Sequence, residues 1–257
     1  MSHDSHVIVE QHGTVLRVAL NRPEKKNALT HAMYTAMSDA IDRVEQDPGL
    51  RVLLLTGTAD CFTSGNDMLD FMTNPPAGGG SPVMRFLEGI RRMAKPLVAA
   101  VNGPAVGVGT TLLLHCDLAY AGRSAKLQMP FVSLGLCPEA GSSLLVPMMV
   151  GQRKAAQLLL LGETFSAEEA REYGFVNAVF DDADYQQKAM EKAQQLAAQP
   201  PASVRLAKAQ MRASFPQLSE VMMKEGAEFI ARLKSPEAME AMSAFMQKRK
   251  PDFSRFS

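Results

Sequence analysis

Pro96-Leu97-Val98-Ala99-Ala100-Val101-Asn102-Gly103-Pro104-Ala105-Val106-Gly107-Val108-Gly109 decides the fold of this chain. An unbroken apolar run leads into a turn of Gly and Pro. Thr110-Thr111-Leu112-Leu113-Leu114-His115 then follows as a helical continuation. An uninterrupted apolar run suits a strand buried on both faces, and such strands belong to parallel sheets covered by helices. Val52-Leu53-Leu54-Leu55-Thr56 and Leu118-Ala119-Tyr120-Ala121 have the same character. Helical patterns at 83–93, 108–116 and 152–161 alternate with these strands. That alternation predicts an α/β architecture with a parallel sheet.

Working outward, Val7-Ile8-Val9-Glu10 and Val15-Leu16-Arg17-Val18-Ala19-Leu20 flank Gln11-His12-Gly13-Thr14 and read as a hairpin. A helix is expected from about Thr30, its N-cap, to Gln46, with Asp47-Pro48-Gly49 as the stop. Thr73-Asn74-Pro75-Pro76-Ala77-Gly78-Gly79-Gly80-Ser81-Pro82 is the one low-complexity stretch, either a solvated loop or a flap over a ligand site. From about Asp182 the chain turns almost wholly helical. We expect a core over residues 1–195 and a C-terminal helical subdomain over 196–257, whose apolar stripes pack on the core or on another subunit.

Lys+Arg and Asp+Glu both number 27, so no net field draws nucleic acid or an anionic membrane, and any anionic ligand must be held locally. Cys61, Cys116 and Cys137 lie far apart with no Cys-x-x-Cys pair and no metal-ligand spacing. No metal is expected, and the cysteines fit thiols in a reducing compartment. Met1–His6 is polar, no apolar run approaches the length of a membrane span, and Arg255-Phe256-Ser257 is not the peroxisomal address. These features together suggest a cytoplasmic protein.

Three segments carry candidate chemistry. Glu139 follows Pro138, precedes Ala140-Gly141-Ser142-Ser143 and lies among apolar residues. Partial desolvation there favours the neutral form and brings its pKa toward the range of a general base. The other reading is a loop carboxylate capping a 142–149 helix. Ser64-Gly65-Asn66-Asp67 follows a buried strand and is equally a donor turn or a strand-to-helix turn with Asp67 as N-cap. Gly103–Gly109 opens a helix but matches neither a Walker loop nor the dinucleotide fingerprint. Two such turns suggest an oxyanion hole made from the N–H groups of Asn66 and Val108. His115, inside an apolar helix, and Asp117, at a strand start, read as structural. His3, His6 and His12 read as surface residues. Met68, Met72, Met84 and Met129 are candidates for an adaptable acyl pocket. Lys25 and Lys26 are either solvated or placed to meet phosphates. Phe245-Met246-Gln247-Lys248-Arg249-Lys250 is either a basic helix end or a contributor of charge and an aromatic to a nucleotide.

Cys61-Phe62-Thr63-Ser64-Gly65-Asn66-Asp67, Asn102-Gly103-Pro104-Ala105-Val106-Gly107 and Cys116-Asp117-Leu118-Ala119-Tyr120-Ala121 resemble the crotonase (enoyl-CoA hydratase/isomerase) superfamily. The likeness runs from Asn21-Arg22-Pro23 through Phe165-Ser166-Ala167-Glu168-Glu169-Ala170 to the helical tail. It implies a spiral of ββα units, an acyl-CoA thioester substrate, no separate cofactor (coenzyme A is part of the substrate), and a homotrimer or dimer of trimers. Hydratases of the superfamily use two Glu residues, and the corresponding positions here are Thr111 and Phe131. Pro138-Glu139-Ala140-Gly141-Ser142-Ser143 is instead similar to the Pro-Glu-Gly-Cys-Ser-Ser run of peroxisomal-type Δ3,Δ2-enoyl-CoA isomerases, with Ala-Gly in place of Gly-Cys. The resemblance implies Glu139 as the single acid/base and the Asn66 and Val108 N–H groups as oxyanion donors. It further implies substrate contacts at Lys25, Asn27, Ala28, Gly65, Asp67, Met68, Gly107, Phe131 and Leu136. The alternatives are another crotonase reaction from the same carboxylate (hydration, thioester hydrolysis or dienoyl isomerisation) or an acyl-CoA binder without turnover.

Overall fold

The computed structural model describes residues 6–58, 60–74 and 80–256, except the side chain of Met72. Residues 75–79, within the stretch read as either a solvated loop or a flap, lie outside the described residues, as does His3. The hairpin forms as β1 (Val7–His12) and β2 (Val15–Leu20). Helix α1 (His31–Gln46) follows, its first turn capped by Thr30, whose side chain accepts from the Met33 N–H. Next come β3 (Val52–Thr56), the short α2 (Met68–Thr73) and α3 (Pro82–Arg92).

Strands β4 (Leu97–Val101), β5 (Pro104–Val106), β6 (Leu118–Gly122) and β7 (Lys126–Gln128) come as pairs. The first of each pair joins a six-stranded sheet of order β1-β2-β3-β4-β6-β9, where β9 is Ala178–Phe180. The second joins a three-stranded sheet of order β5-β7-β8, where β8 is Phe165–Ser166. The large sheet is parallel except for the β1–β2 hairpin. Isolated bridges Thr63–Ala105 and Leu29–Asn66 extend the small sheet toward the Ser64–Asp67 turn. The pairs alternate between two layers, and this brings the two glycine turns side by side.

The continuous apolar strands are explained by burial on both faces. Leu53, Leu55, Leu97, Ala99 and Val101 face α1 and α3 in the main core. Val52, Leu54, Val98 and Ala100 face the opposite way, onto α7 (Tyr185–Ala197). Tyr185, Ala189, Ala193 and Ala197 recur every four residues and share one helix face, whose small side chains admit close approach to the sheet. The boundary expected at 196 falls within the last turn of this helix.

The helix expected over 108–116 is divided. Residues Val108–Thr111 form one α turn (α4), and Leu112–His115 tighten into 3-10 geometry. The 142–149 and 152–161 patterns are fused in α5 (Ser142–Leu160), with a break at Gly151, whose φ of 76° is non-helical. After α6 (Ala167–Glu172), with its Ser166–Glu169 capping box, the C-terminal helices are α8 (Pro201–Arg212), α9 (Leu218–Arg232) and α10 (Pro236–Met246). The strands β5, β7, β8 and β9 are additions to the sequence reading; each has two or three residues, too few to show periodicity.

Two cations fasten α8 to the core. Lys208, 3% exposed, donates to Asp117 Oδ2 at 2.6 Å and to the Lys95 carbonyl at 2.7 Å. Asp117 Oδ2 also accepts from the Leu97 N–H, so the structural reading of Asp117 holds. Arg212 donates to the carbonyls of Arg91, Met93 and His115. Removing one member of a buried pair strands the other charge. Lys208→Ala is therefore expected to cost about 3–5 kcal/mol, read from the urea midpoint, while Arg205→Ala on the exposed side of α8 should stay within about 0.5 kcal/mol.

Candidate active site

A cavity of about 870 Å³ opens where the two layers, α1 and the C-terminal helices meet. Glu139 lies in its wall, 9% exposed. Among the described residues two other carboxylates line the cavity. Glu24 is largely exposed, and Asp67 is paired with Arg22 at 2.6 Å. No described cation pairs with Glu139. Its Oε1 accepts from the Thr111 hydroxyl. Burial pushes its pKa up to about 7, the Thr111 hydrogen bond opposes this, and the negative charge of Glu225 adds to it.

Glu139 does not cap α5. Its main-chain carbonyl accepts from the Ser142 hydroxyl at 2.6 Å and from the Ser142 N–H at 3.1 Å, and the Gly141 and Ser143 N–H groups are taken by the Glu225 side chain. The carboxyl group is left to face the cavity.

Both glycine turns present N–H groups, those of Asn66 and Val108, that have no acceptor among the described residues. Leu29 donates to the Gly65 carbonyl and accepts from the Asp67 N–H, so this parallel bridge skips Asn66 and turns its N–H the other way. Val108 is the first residue of α4, where no intrahelical acceptor exists. Asn66 and Val108 both line the cavity. Gly107 is held at φ 58°, a conformation in which a side chain is strained, and a Cβ on Gly109 would lie 2.5 Å from Thr63 Cγ2. Any helix dipole here is weak, because α4 has a single turn. The donor at Val108 is thus a local N–H rather than the end of a long helix.

Asp67 meets both sequence readings at once. Its Oδ1 caps α2 by accepting from the Leu69 and Asp70 N–H groups, while the preceding residue presents its N–H. Lys25, Ala28, Gly65, Met68, Gly107, Phe131 and Leu136 line the cavity, as do Lys26 and Met84. Asn27 does not. It is fully buried, donates to the Cys61 and Phe62 carbonyls, accepts from the Arg22 N–H, and fixes the loop that carries Lys25 and Lys26. Met129 is also fully buried away from the cavity. His115 bonds through Nε2 to the Ala140 carbonyl, and burial lowers its pKa to about 4, which keeps it neutral. Phe245 and Met246 line the cavity, whereas Arg249 is engaged by Glu240.

The sequence reading missed Tyr34 and the α9 wall. Tyr34 reads as one more apolar residue of α1, yet its hydroxyl donates to Asn66 Oδ1 at 2.5 Å and ties α1 to the donor turn. Met222, Phe229, Ile230 and Leu233 supply the apolar wall opposite. Phe229 meets Phe131 edge-on, with ring centroids 6.4 Å apart.

Residues 10–255 match the family model for enoyl-CoA hydratase/isomerase. The chain belongs to the enoyl-CoA hydratase/isomerase family. It is 37% identical over 248 residues to 1,2-epoxyphenylacetyl-CoA isomerase of Escherichia coli strain K12, covering 93% of this chain and 94% of that protein. It is 36% identical over 252 residues to enoyl-CoA delta isomerase 2 of Rattus norvegicus, covering 95% of this chain and 64% of that longer protein. The solved structure of Pseudomonas aeruginosa OdaA is 49% identical and superposes with a TM-score of 0.92, covering 95% of this chain and 99% of that one. The fold is the crotonase fold, and the protein is an acyl-CoA enzyme of this family.

The position of Thr111 gives a direct test of the site's electrostatics. Its hydroxyl favours the charged carboxylate, so Thr111→Val should move the protonation midpoint of Glu139 from about 7 to higher pH. The carboxyl infrared band, taken as a difference against Glu139→Gln, reports that midpoint.

Proposed function

We propose that the protein is a Δ3,Δ2-enoyl-CoA isomerase in which Glu139 carries a proton from C2 to C4 of a 3-enoyl thioester. The observation that carries this reading is a single buried carboxylate, unpaired with any described cation, in the cavity wall, with Thr111 and Phe131 where hydration would place its two Glu residues. Thr111 serves instead as the hydrogen-bond donor to Glu139, and Phe131 occupies the cavity as an apolar wall. Moving a double bond from C3 to C2 needs no water. The base removes the C2 proton, the thioester oxygen becomes an enolate oxygen, and the same carboxyl group returns a proton at C4.

The N–H groups of Asn66 and Val108 would stabilise the enolate oxygen, and one such donor is typically worth about 3 kcal/mol in the transition state. Lys25 and Lys26, exposed at the cavity mouth, suit the phosphates of coenzyme A. The apolar wall suits an acyl chain and keeps the charges in a low dielectric. A pKa near 7 balances the base and acid roles of one group at neutral pH. Relatives of this chain include a 1,2-epoxyphenylacetyl-CoA isomerase and an enoyl-CoA delta isomerase as well as hydratases, so the preference for isomerisation rests on Thr111 and Phe131 at the two hydratase Glu positions. The reading includes a cytoplasmic location and a homotrimer or dimer of trimers. Leu206, Met211, Met239 and Phe245, each more than 60% exposed, support self-association. No described helix is long and apolar enough to cross a membrane.

The test follows a 3-enoyl-CoA by the absorbance of the conjugated 2-enoyl thioester. Wild type should convert it with no 3-hydroxyacyl product, and Glu139→Gln should lose about 10²–10⁴-fold in kcat. Full activity in the variant, or only hydrated or hydrolysed product from wild type, would defeat the assignment; binding without exchange of the C2 proton would favour an acyl-CoA binder.

Val108→Pro removes one donor at a first helical position where proline is tolerated. It should lower kcat about 10²–10³-fold with little change in the thermal midpoint.

A further inference from the structure

We propose that Glu225, on the C-terminal helix α9, is a positioning residue for the base. It holds the Glu139 turn by its backbone and brings a second negative charge to that turn. The inference rests on the proposed role of Glu139.

The turn from Glu139 to Ser143 is held at nearly every residue. Thr111 and Ser142 bond to Glu139, and neutral His115 donates to the Ala140 carbonyl at 2.8 Å. Glu225 Oε2 accepts from the Gly141 N–H at 2.5 Å, and its Oε1 from the Ser143 N–H at 2.9 Å. The turn needs this support because Ala140 (φ 56°) and Gly141 (φ 76°) are both left-handed, and Ala140 is there against its own preference. Helix α9 presses on the same point. A Cβ on Gly141 would lie 2.5 Å from Leu218 Cδ1 and 3.3 Å from Met222 Cγ.

Glu225 is 6% exposed, and both of its carboxyl oxygens accept from main-chain N–H groups. The negative charge of Glu225 adds to the upward shift of the Glu139 pKa, and such an effect is strong in a low dielectric. The ionisable groups around Glu139 are Tyr34 from α1, Glu225 from α9 and His115 behind Ala140. Cys137, two residues upstream, also feels Glu225 and Glu228. Of these, Glu225 alone is a carboxyl group hydrogen-bonded to the backbone of the turn. A purely structural N-cap would hold the turn equally well with a neutral acceptor, so charge and geometry can be separated.

Glu225→Gln keeps one acceptor oxygen and removes the charge, whereas Glu225→Asp keeps the charge and withdraws it by one methylene. In the Gln variant the Glu139 midpoint, read by difference infrared without turnover, should move to lower pH. The acid limb of kcat/KM should follow it. In the Asp variant the midpoint should stay near the wild-type value while kcat falls about tenfold or more through misplacement of the base, with KM little changed. If the Gln variant does not fold, the Asp variant alone decides by the split between kcat and KM. A midpoint unmoved in Gln, or an Asp variant with unchanged kcat, overturns the proposal. A wild type that does not isomerise 3-enoyl-CoA defeats the function reading, while the infrared midpoint still tests the influence of Glu225 on Glu139.

Discussion

The site depends on the desolvation of one carboxyl group. Glu139 lies in an apolar wall with no described cation partner, and burial moves its pKa to about 7. An uncompensated buried carboxylate is costly, so the fold supplies partial compensation through the Thr111 hydroxyl. Hydrogen bonds from His115 and to Glu225 hold the turn in its left-handed conformation. The two-layer spiral delivers the other half of the proposed site, because alternating strand pairs bring Asn66 and Val108 to one cavity.

The C-terminal helices complete this environment. Helix α8 is fixed by Lys208 on Asp117 and by Arg212 on the carbonyls of Arg91, Met93 and His115. Those contacts reach the segment that carries His115, one hydrogen bond from the Glu139 turn. Helix α9 closes the apolar wall with Met222, Phe229, Ile230 and Leu233 and caps α5 through Glu225. Folding of the tail and dryness of the site are thus linked physically.

Much of this was legible in the sequence for identifiable reasons. The runs at 52–56 and 97–101 are apolar at every position because the large sheet is covered on both sides, and that pattern is readable without coordinates. Glu139 stood out as a carboxylate in an apolar, proline-flanked turn. Three-residue strands such as β5 and β7 carry no period and were invisible. Tyr34 was hidden because a buried tyrosine on an amphipathic helix has the same signature as core packing. Glu225 was hidden because a charged residue on an amphipathic helix reads as solvated. Asn27 misled in the opposite direction, since a polar residue in a loop that reaches the cavity proved to be spent on the backbone of Cys61 and Phe62. Each miss concerns a contact distant in sequence, which local pattern does not encode.

The central claim is that one dry carboxyl group carries the same proton from C2 to C4. A 3-enoyl-CoA deuterated at C2, turned over once in ordinary water, tests it directly. The account predicts a 2-enoyl product that retains part of the label at C4. A product hydroxylated at C3, or a 2-enoyl product whose C4 holds only solvent hydrogen, would contradict it.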